Sequence, residues 1–241
     1  MRPTSVPQLG PVYWLTLSSA SVFGTNTGDL MSHTLGLSDA PGLACLAILF
    51  AVIAVVERRV RVASTVFYWL AIIVMRTAAT NLADLATLQA ELDYTSTIAM
   101  LAALLVATLL GFRLIRRMAG PATDLTSTGA GYWLAMLAAA TLGTALGDYG
   151  SHVLTLHVCV VITVLLFVAV FWPVRWAGFD TVLYWCAIVL ARTAGTNVGD
   201  LIAFKRGLNL GLPVCTLLTG LVFAALVVVG NRRSRAVAQP A

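Results

Sequence analysis

Charged side chains are scarce in this sequence. Asp, Glu, Lys and Arg make up 10% of its 241 residues, whereas a soluble domain has about 25%. Apolar residues reach 59% and the mean hydropathy is +0.91. So little charge excludes a soluble domain, a disordered chain and a nucleic-acid-binding surface. The composition therefore predicts a protein whose partner is the lipid bilayer.

Cysteine and enzyme motifs are also poorly represented. The 4 cysteines lie in apolar segments without CxxC spacing, so we interpret them as small buried hydrophobes, not as metal ligands or disulfide partners. The sequence contains no GxSxG, HExxH or P-loop motif, and its connecting segments are short. We expect no enzymatic activity, and the sequence does not identify a cofactor.

The apolar residues form stretches close to the roughly 20 residues that a membrane-crossing helix needs. We predict an all-α, polytopic membrane protein, a single transmembrane domain over residues 1–241, with eight transmembrane helices. The stretches are 12–31, 41–56, 64–86, 95–112, 131–149, 152–172, 181–203 and 209–230.

Basic residues mark alternate connections. Arginine clusters follow the second, fourth and eighth stretches and the single Arg175 follows the sixth, whereas Lys205 and Arg206 are the exception on the other side. Because cytoplasmic loops carry an excess of Lys and Arg, we expect both termini, 1–10 and 233–241, to be cytoplasmic tails in a bacterial inner membrane. The basic excess then reports orientation and predicts no nucleic-acid partner.

An internal repeat divides the chain. Four segments begin with Tyr-Trp and carry Asp 15 residues after the Trp, and we place the repeats at about 11–60, 64–117, 130–176 and 180–232. Repeats one and three share Gly-Asp and Ser-His, while two and four share Arg-Thr-Ala, giving the order A-B-A-B. Two spans per repeat make all four parallel, so the predicted pseudo-symmetry axis runs along the membrane normal.

This pattern of Tyr-Trp followed by Gly-Thr-x-x-Gly-Asp resembles a family of bacterial integral membrane proteins built of four tandem two-helix repeats, whose function is unknown. The resemblance covers about residues 11–230. It implies an eight-span membrane protein, and it implies no activity that can be carried over to individual residues.

Two features of the repeat favour structural roles. We interpret the Tyr-Trp pairs as amphipathic anchors at the membrane interface. Small residues recur four apart, which allows close approach of two helix backbones and predicts that the odd-numbered helices pack together at the centre. These pairs are Gly24 and Gly28, Ala79 and Ala83, Gly143 and Gly147, and Gly195 and Gly199.

A polar stripe on each odd-numbered stretch predicts a binding site. Thr and Asp recur four residues apart, on one helix face, and Asn follows the Thr in three repeats. Each Asp lies about 22 Å beyond its Trp, in the outer half of the membrane. The predicted cation-binding residues are Asp29, Asp84, Asp148, Asp200, Asn26, Asn81, Asn197, Thr25, Thr80, Thr144 and Thr196.

Arg76 and Arg192 lie in the same stripes, where an ionisable group costs at least about 2.5–3.5 kcal/mol at the bilayer centre. We expect them to balance the charge of the acids, leaving two negative charges for a divalent cation. Oxygen ligands suit Mg, Ca or Mn, and the imidazoles of His33 and His152 shift the preference towards Mn, Fe, Co, Ni or Zn. We favour manganese or another transition metal, with these histidines as a gate or as a metal or proton exchange site.

The predicted function is membrane transport of a small cation. One alternative is a haem-binding redox protein with His33 and His152 as ligands. Another is a sensor or assembly protein in which Asp and Arg form structural pairs. The residues leave open the ion, import against export, channel against carrier, whether the four Asp share one site, and whether copies form a homo-oligomer.

Overall fold

The computed structural model describes residues 6–37, 39–60, 65–89, 92–119, 129–177, 181–204 and 207–238. Within these residues the chain is all-helical and contains no strand. Lys205, Arg206 and the ends of both predicted tails lie outside them. The helices are α1 Pro11–Asp29, α2 Asp39–Val60, α3 Thr65–Asp84, α4 Tyr94–Ala119, α5 Ala130–Val153, α6 Leu156–Ala177, α7 Thr181–Ala203 and α8 Leu212–Ala238.

Local sequence explains several helix boundaries. α1 begins with Pro11, whose missing N–H costs nothing at the first helical position. Before α4, the carboxylate of Asp93 accepts hydrogen bonds from the Thr95 hydroxyl and, at 3.0 Å, from the Ser96 backbone N–H. The bond from Ser96 satisfies one of the backbone N–H groups that the first turn of a helix otherwise leaves unpaired.

The four odd-numbered helices form a closed inner ring. α1 packs against α3, α3 against α5, α5 against α7, and α7 back against α1. Small residues make this close packing possible: a Cβ built on Gly28 would lie 2.6 Å from the Cβ of Thr80, and one on Gly143 would lie 2.7 Å from the Cβ of Arg192. The prediction that the small-residue pairs bring these helices together is confirmed.

The even-numbered helices surround this ring. α2 packs on α3, α4 on α5, α6 on α7, and α8 on α1, so each outer helix contacts the inner helix that follows it in cyclic order. Their outward faces are apolar, as shown by the high exposure of Ile48, Leu114, Leu165 and Leu217. A belt of exposed aliphatic side chains is the surface that lipid covers.

Among the described residues, five helices are long and apolar enough to cross a membrane, namely α2, α3, α4, α5 and α8. The described apolar run of α6 is shorter and covers Leu156–Phe171. α1 and α7 turn polar side chains towards the other helices, where Thr25, Asn26, Arg192 and Asn197 are buried. The chain is therefore a multi-pass membrane protein that lies in a lipid bilayer.

Four tyrosines join the inner helices near one end of the ring. The hydroxyls of Tyr13, Tyr68, Tyr132 and Tyr184 form a cycle of hydrogen bonds of 2.8–2.9 Å. All four side chains are buried. Because one hydroxyl from each repeat meets at one level, the four inner helices run in the same direction. The interpretation of these tyrosines as membrane-interface anchors is wrong, since they hold the centre of the bundle together.

The adjacent tryptophans pack around this tyrosine ring. Trp14, Trp69 and Trp185 are buried, and Trp133 is half-buried against Phe50, with ring centroids 5.4 Å apart. Each contacts the tyrosine that precedes it edge to face. The repeated Tyr-Trp dipeptide thus supplies a buried aromatic layer between the inner and outer helices.

Candidate functional site

A cavity of about 480 Å³ lies between the inner helices at the end opposite the tyrosine ring. Its wall combines the Asp and the Thr of every repeat, as the four-residue spacing predicts. Thus the four acids do converge on one space. The described lining residues are Thr25, Asp29, His33, Thr80, Asp84, Thr87, Tyr94, Thr144, Asp148, Ser151, His152, Thr196, Asp200 and Phe204.

The Asp carboxylates are aimed at this acidic cavity and not at other side chains. Asp29 is 7% exposed, and the other three are partly buried. Within the described part of the chain, none of the four accepts a hydrogen bond or forms an ion pair. Their oxygens are therefore free to bind a solute, and their mutual repulsion favours a cation among them.

The carboxylates surround the cavity without closing into a cage. No group of three or more His, Cys, Asp or Glu side chains in the described residues is close enough to hold a metal ion. Direct chelation by the whole set would require the inner helices to move together. With the helices as they stand, the cavity has room for a cation that keeps water in its coordination shell.

Arg192 is not among the described lining residues, but its guanidinium joins two threonines that do line the acidic cavity, and we call this level of the helix ring the floor of the cavity. This fully buried side chain reaches from α7 across the ring, where Nε donates to Thr144 Oγ1 at 2.9 Å and Nη1 to the Ser21 carbonyl at 2.8 Å. Nη2 donates to Thr80 Oγ1 on the opposite helix. The guanidinium is within electrostatic range of all four Asp side chains. It therefore offsets part of their charge without bonding to any of them.

Arg76 occupies the same position in the second repeat and behaves differently. It is fully buried, and its Nε, Nη1 and Nη2 have no hydrogen-bond partner in the part of the chain that the structure describes. Its electrostatic neighbours are the four ring tyrosines. Arg192 is thus directed towards the acidic cavity and Arg76 towards the tyrosine ring. The Asp–Arg pairing considered from the sequence is not present among the described residues.

The three predicted asparagines are placed away from the acidic cavity. Asn26 Nδ2 donates to Thr219 on α8 at 3.5 Å, and Asn197 Nδ2 donates to Thr163 on α6 at 3.3 Å. Asn81 is buried, and none of the three is among the described lining residues. Each Asn follows its Thr directly, so it is rotated by about 100° from the Thr and Asp face. That offset was readable from the sequence.

His33 and His152 lie at the mouth of the acidic cavity, where both are exposed. Nε2 of His152 is 3.2 Å from the Tyr94 hydroxyl, and the His33 ring stands edge-on to Phe204 with centroids 6.3 Å apart. Both histidines lie at the end of the polar stripe that is farther from the tyrosine ring. The described side chains show each histidine beside one aromatic residue and not beside the other histidine.

Two features of the mouth were not predicted from the sequence. Immediately after Asp29 and Asp84 the helix widens into π-helical turns, Leu30–Thr34 and Leu85–Gln89, which often occur at functional sites. The side chains of Thr87, Tyr94, Ser151 and Phe204 also line the cavity. Ser151 could have been found from the Ser-His pair, whereas the others depend on how the helix ends and connections fold back.

Fold and site together define a multi-pass membrane protein in which four repeated helices enclose an acidic cavity. Residues 12–62, 67–117 and 183–236 match the model of a family described as Repeat of Unknown Function (DUF347). These matches cover more than half of the chain, and the chain belongs to this family. No curated protein and no solved structure matches it.

Proposed function

We propose that this protein transports a small cation across a membrane through the acidic cavity. One observation supports this most strongly: four carboxylates from four helices line one space, and their oxygens have no partner among the described residues. Acidic residues inside membrane bundles typically mark ion pathways. The Thr hydroxyls beside them offer further oxygen ligands.

The charge balance favours a divalent cation. Four ionised Asp side chains and the guanidinium groups of Arg76 and Arg192 leave two negative charges, which one divalent ion neutralises. Oxygen ligands with histidine at the mouth favour manganese or another transition metal. Because the acids do not form a cage, the ion keeps part of its water shell and contacts one or two carboxylates directly.

Two layers close the axis below the cavity, which favours a carrier over an open channel. The guanidinium of Arg192 crosses the ring at the cavity floor. Further along, the hydroxyls of the tyrosine ring are too close together for an ion to pass between them. Transport would require the Arg192 guanidinium to move away from the axis and the four tyrosine hydroxyls to separate.

The proposed topology has eight spans. α1 and α7 qualify although they are less apolar, because their polar faces turn towards other helices and not towards lipid. The arginine clusters of the connections then lie at the tyrosine end, so both termini are cytoplasmic in a bacterial inner membrane and the acidic cavity opens outward. His33 and His152 act at its outer mouth.

Flux into liposomes tests this function. We expect purified wild-type protein to admit Mn²⁺ to liposomes that contain a Mn²⁺-quenched dye, and each of Asp29→Asn, Asp84→Asn, Asp148→Asn and Asp200→Asn to lower the initial rate. Loss of one ligand charge corresponds to about tenfold. Asp93→Asn, the same change at an exposed residue near the mouth, should leave the rate unaltered. Wild-type rates in all four cavity variants would disprove the assignment.

A further inference from the structure

The two buried arginines sit in equivalent places but differ in their contacts. Each lies seven residues after the Trp of its repeat, and the Cβ of each packs against a glycine of the preceding inner helix, Gly24 for Arg76 and Gly143 for Arg192. The backbones therefore support the two side chains in the same way. The guanidinium groups differ, since Arg192 makes three hydrogen bonds to described residues and Arg76 makes none to them.

The A-B-A-B order relates every acceptor of Arg192 to an equivalent one. Repeat one is equivalent to repeat three, and repeat two to repeat four. The position equivalent to Thr144 is therefore Thr25, the one equivalent to Ser21 is Ala140, and the one equivalent to Thr80 is Thr196.

The equivalent threonines of repeats one and three make the same hydrogen bond to the backbone of their own helix. Thr25 Oγ1 donates to the Ser21 carbonyl at 3.1 Å, and Thr144 Oγ1 donates to the Ala140 carbonyl at 3.2 Å. The difference lies in the third acceptor. Thr80 Oγ1 accepts a hydrogen bond from Arg192. Thr196 is 1% exposed, and its Oγ1 has no partner among the described residues.

We propose that Arg76 and Arg192 alternate at the floor of the acidic cavity, with Arg76 binding Thr25, Thr196 and the Ala140 carbonyl whenever Arg192 turns towards the tyrosine ring. A buried guanidinium and a buried hydroxyl that have no partner among the described residues become partners in the exchanged state. Arg192 and Thr80 lose their hydrogen bond in the same step. Because the exchange replaces one set of hydrogen bonds by an equivalent set, the two states are close in free energy.

The two states exclude each other. Arg192 extends from α7 to Thr80 on α3, and Arg76 would extend from α3 to Thr196 on α7, along the same diameter of the ring. Both guanidinium groups cannot occupy this diameter, and their like charges repel. One arginine must leave before the other enters.

This inference rests on the proposed transport function, for which the exchange of the two arginines would be the gate. Between the two states neither arginine crosses the axis, so the floor of the acidic cavity is briefly open while both guanidinium groups lie on its tyrosine side. The departing charge also leaves the four carboxylates less compensated. The exchange would thus set the rate at which a bound cation passes the floor, without altering the equilibrium affinity of the cavity.

A first experiment removes the Thr196 hydroxyl, which Arg76 needs as an acceptor in the exchanged state. Thr196→Val keeps the shape of the side chain and should be at least as stable as the wild type, because it removes a buried hydroxyl that has no partner among the described residues. Since Thr196 also lines the acidic cavity, Mn²⁺ affinity and flux are both measured, and we expect flux to fall about tenfold more than affinity, equivalent to one lost hydrogen bond to a charged group. A fall in flux no larger than the fall in affinity would show that Thr196 acts only as a ligand and would overturn the exchange.

A second experiment does not depend on transport. In a crystal structure of Arg192→Gln we expect the Arg76 guanidinium within about 3.2 Å of Thr196 Oγ1 and of the Ala140 carbonyl. Thr80→Val keeps both arginines and weakens only the observed state, so it should show the same rearrangement. It provides the same test if Arg192→Gln does not fold. Arg76 remaining beside the tyrosines would overturn the proposal.

The two experiments separate the possible failures. If the wild type moves no cation but Arg76 relocates in these variants, the transport function is wrong and the exchange stands. If the wild type transports Mn²⁺ but Arg76 does not relocate, transport stands and the gate lies elsewhere.

Discussion

The hydroxyl of Tyr13 lies 2.9 Å from that of Tyr184, although 171 positions separate the two residues in sequence. This hydrogen bond connects the first repeat to the last and closes the tyrosine ring. In such a cycle each hydroxyl donates once and accepts once, so no buried donor is left unpaired. The closure holds the four inner helices at one level and thereby brings their Asp residues to one cavity at the other end.

Opening this ring should destabilise the protein. Tyr132→Phe removes one hydroxyl and leaves Tyr68 and Tyr184 each with one fewer partner, for which we expect a loss of about 1–3 kcal/mol in the free energy of unfolding. Thermal unfolding in detergent measures it. Tyr149→Phe is the matched control, because Tyr149 is 37% exposed near the opposite end. Equal stability of the two variants would contradict a structural role for the ring.

The sequence was sufficient to predict that the odd-numbered helices pack together and that each carries a Thr and Asp stripe, because these residues and the small residues follow the helical period in all four repeats. It left open whether the four Asp share one site, since that depends on how the bundle closes. The tyrosine ring was not predictable in this way. A single Tyr-Trp at a helix end normally indicates an interface anchor, and its burial here requires three equivalent partners that meet only when the bundle closes.

The arginines show a different limit. Arg76 and Arg192 have nearly identical sequence neighbours, so no local pattern could assign hydrogen bonds to one and none to the other. Their difference arises because the ring has space for one guanidinium across its diameter. The sequence repeat places the two arginines at equivalent positions. Because one guanidinium occupies the space at the centre of the ring, the two side chains make different contacts.

Close helix packing predicts a strong effect at Gly28. Gly28→Ala would place a Cβ 2.6 Å from the Thr80 Cβ, so α1 and α3 must separate. We expect destabilisation by about 1–3 kcal/mol, typical of overpacking. Gly111→Ala offers the matched control on α4, because a Cβ there has no neighbour within 4 Å. The control should be neutral or more stable by about 0.5–1 kcal/mol, as measured by thermal unfolding.

Removing the unpaired guanidinium should stabilise the fold. Arg76→Met replaces a buried charge without hydrogen bonds by an apolar side chain of similar length, and we expect the free energy of unfolding to rise by about 1–3 kcal/mol. Chemical unfolding in detergent measures this change. Arg113→Met, at an exposed position on α4, controls for loss of an arginine as such. A less stable Arg76→Met variant would show that Arg76 has a counter-charge or partner in the native bundle.

The companion variant Arg192→Met distinguishes a fixed arginine from an exchanging one. If Arg192 alone can occupy the floor, its loss removes three hydrogen bonds and lowers stability by several kcal/mol. If Arg76 takes its place, the loss is compensated and Arg192→Met resembles Arg76→Met in stability. We expect the second result, from the same unfolding measurement.

The placement of the asparagines yields a prediction about binding. Asn197 and Asp200 lie within one helical turn on α7, but Asn197 faces Thr163 on α6 while Asp200 faces the acidic cavity. Asn197→Ala should lower stability by about 1 kcal/mol, through loss of a buried hydrogen bond, and leave Mn²⁺ affinity unchanged. Asp200→Asn should weaken affinity about tenfold with little change in stability. Isothermal titration of Mn²⁺ into the purified variants separates the two effects, and equal loss of affinity in both would return the asparagines to the binding site.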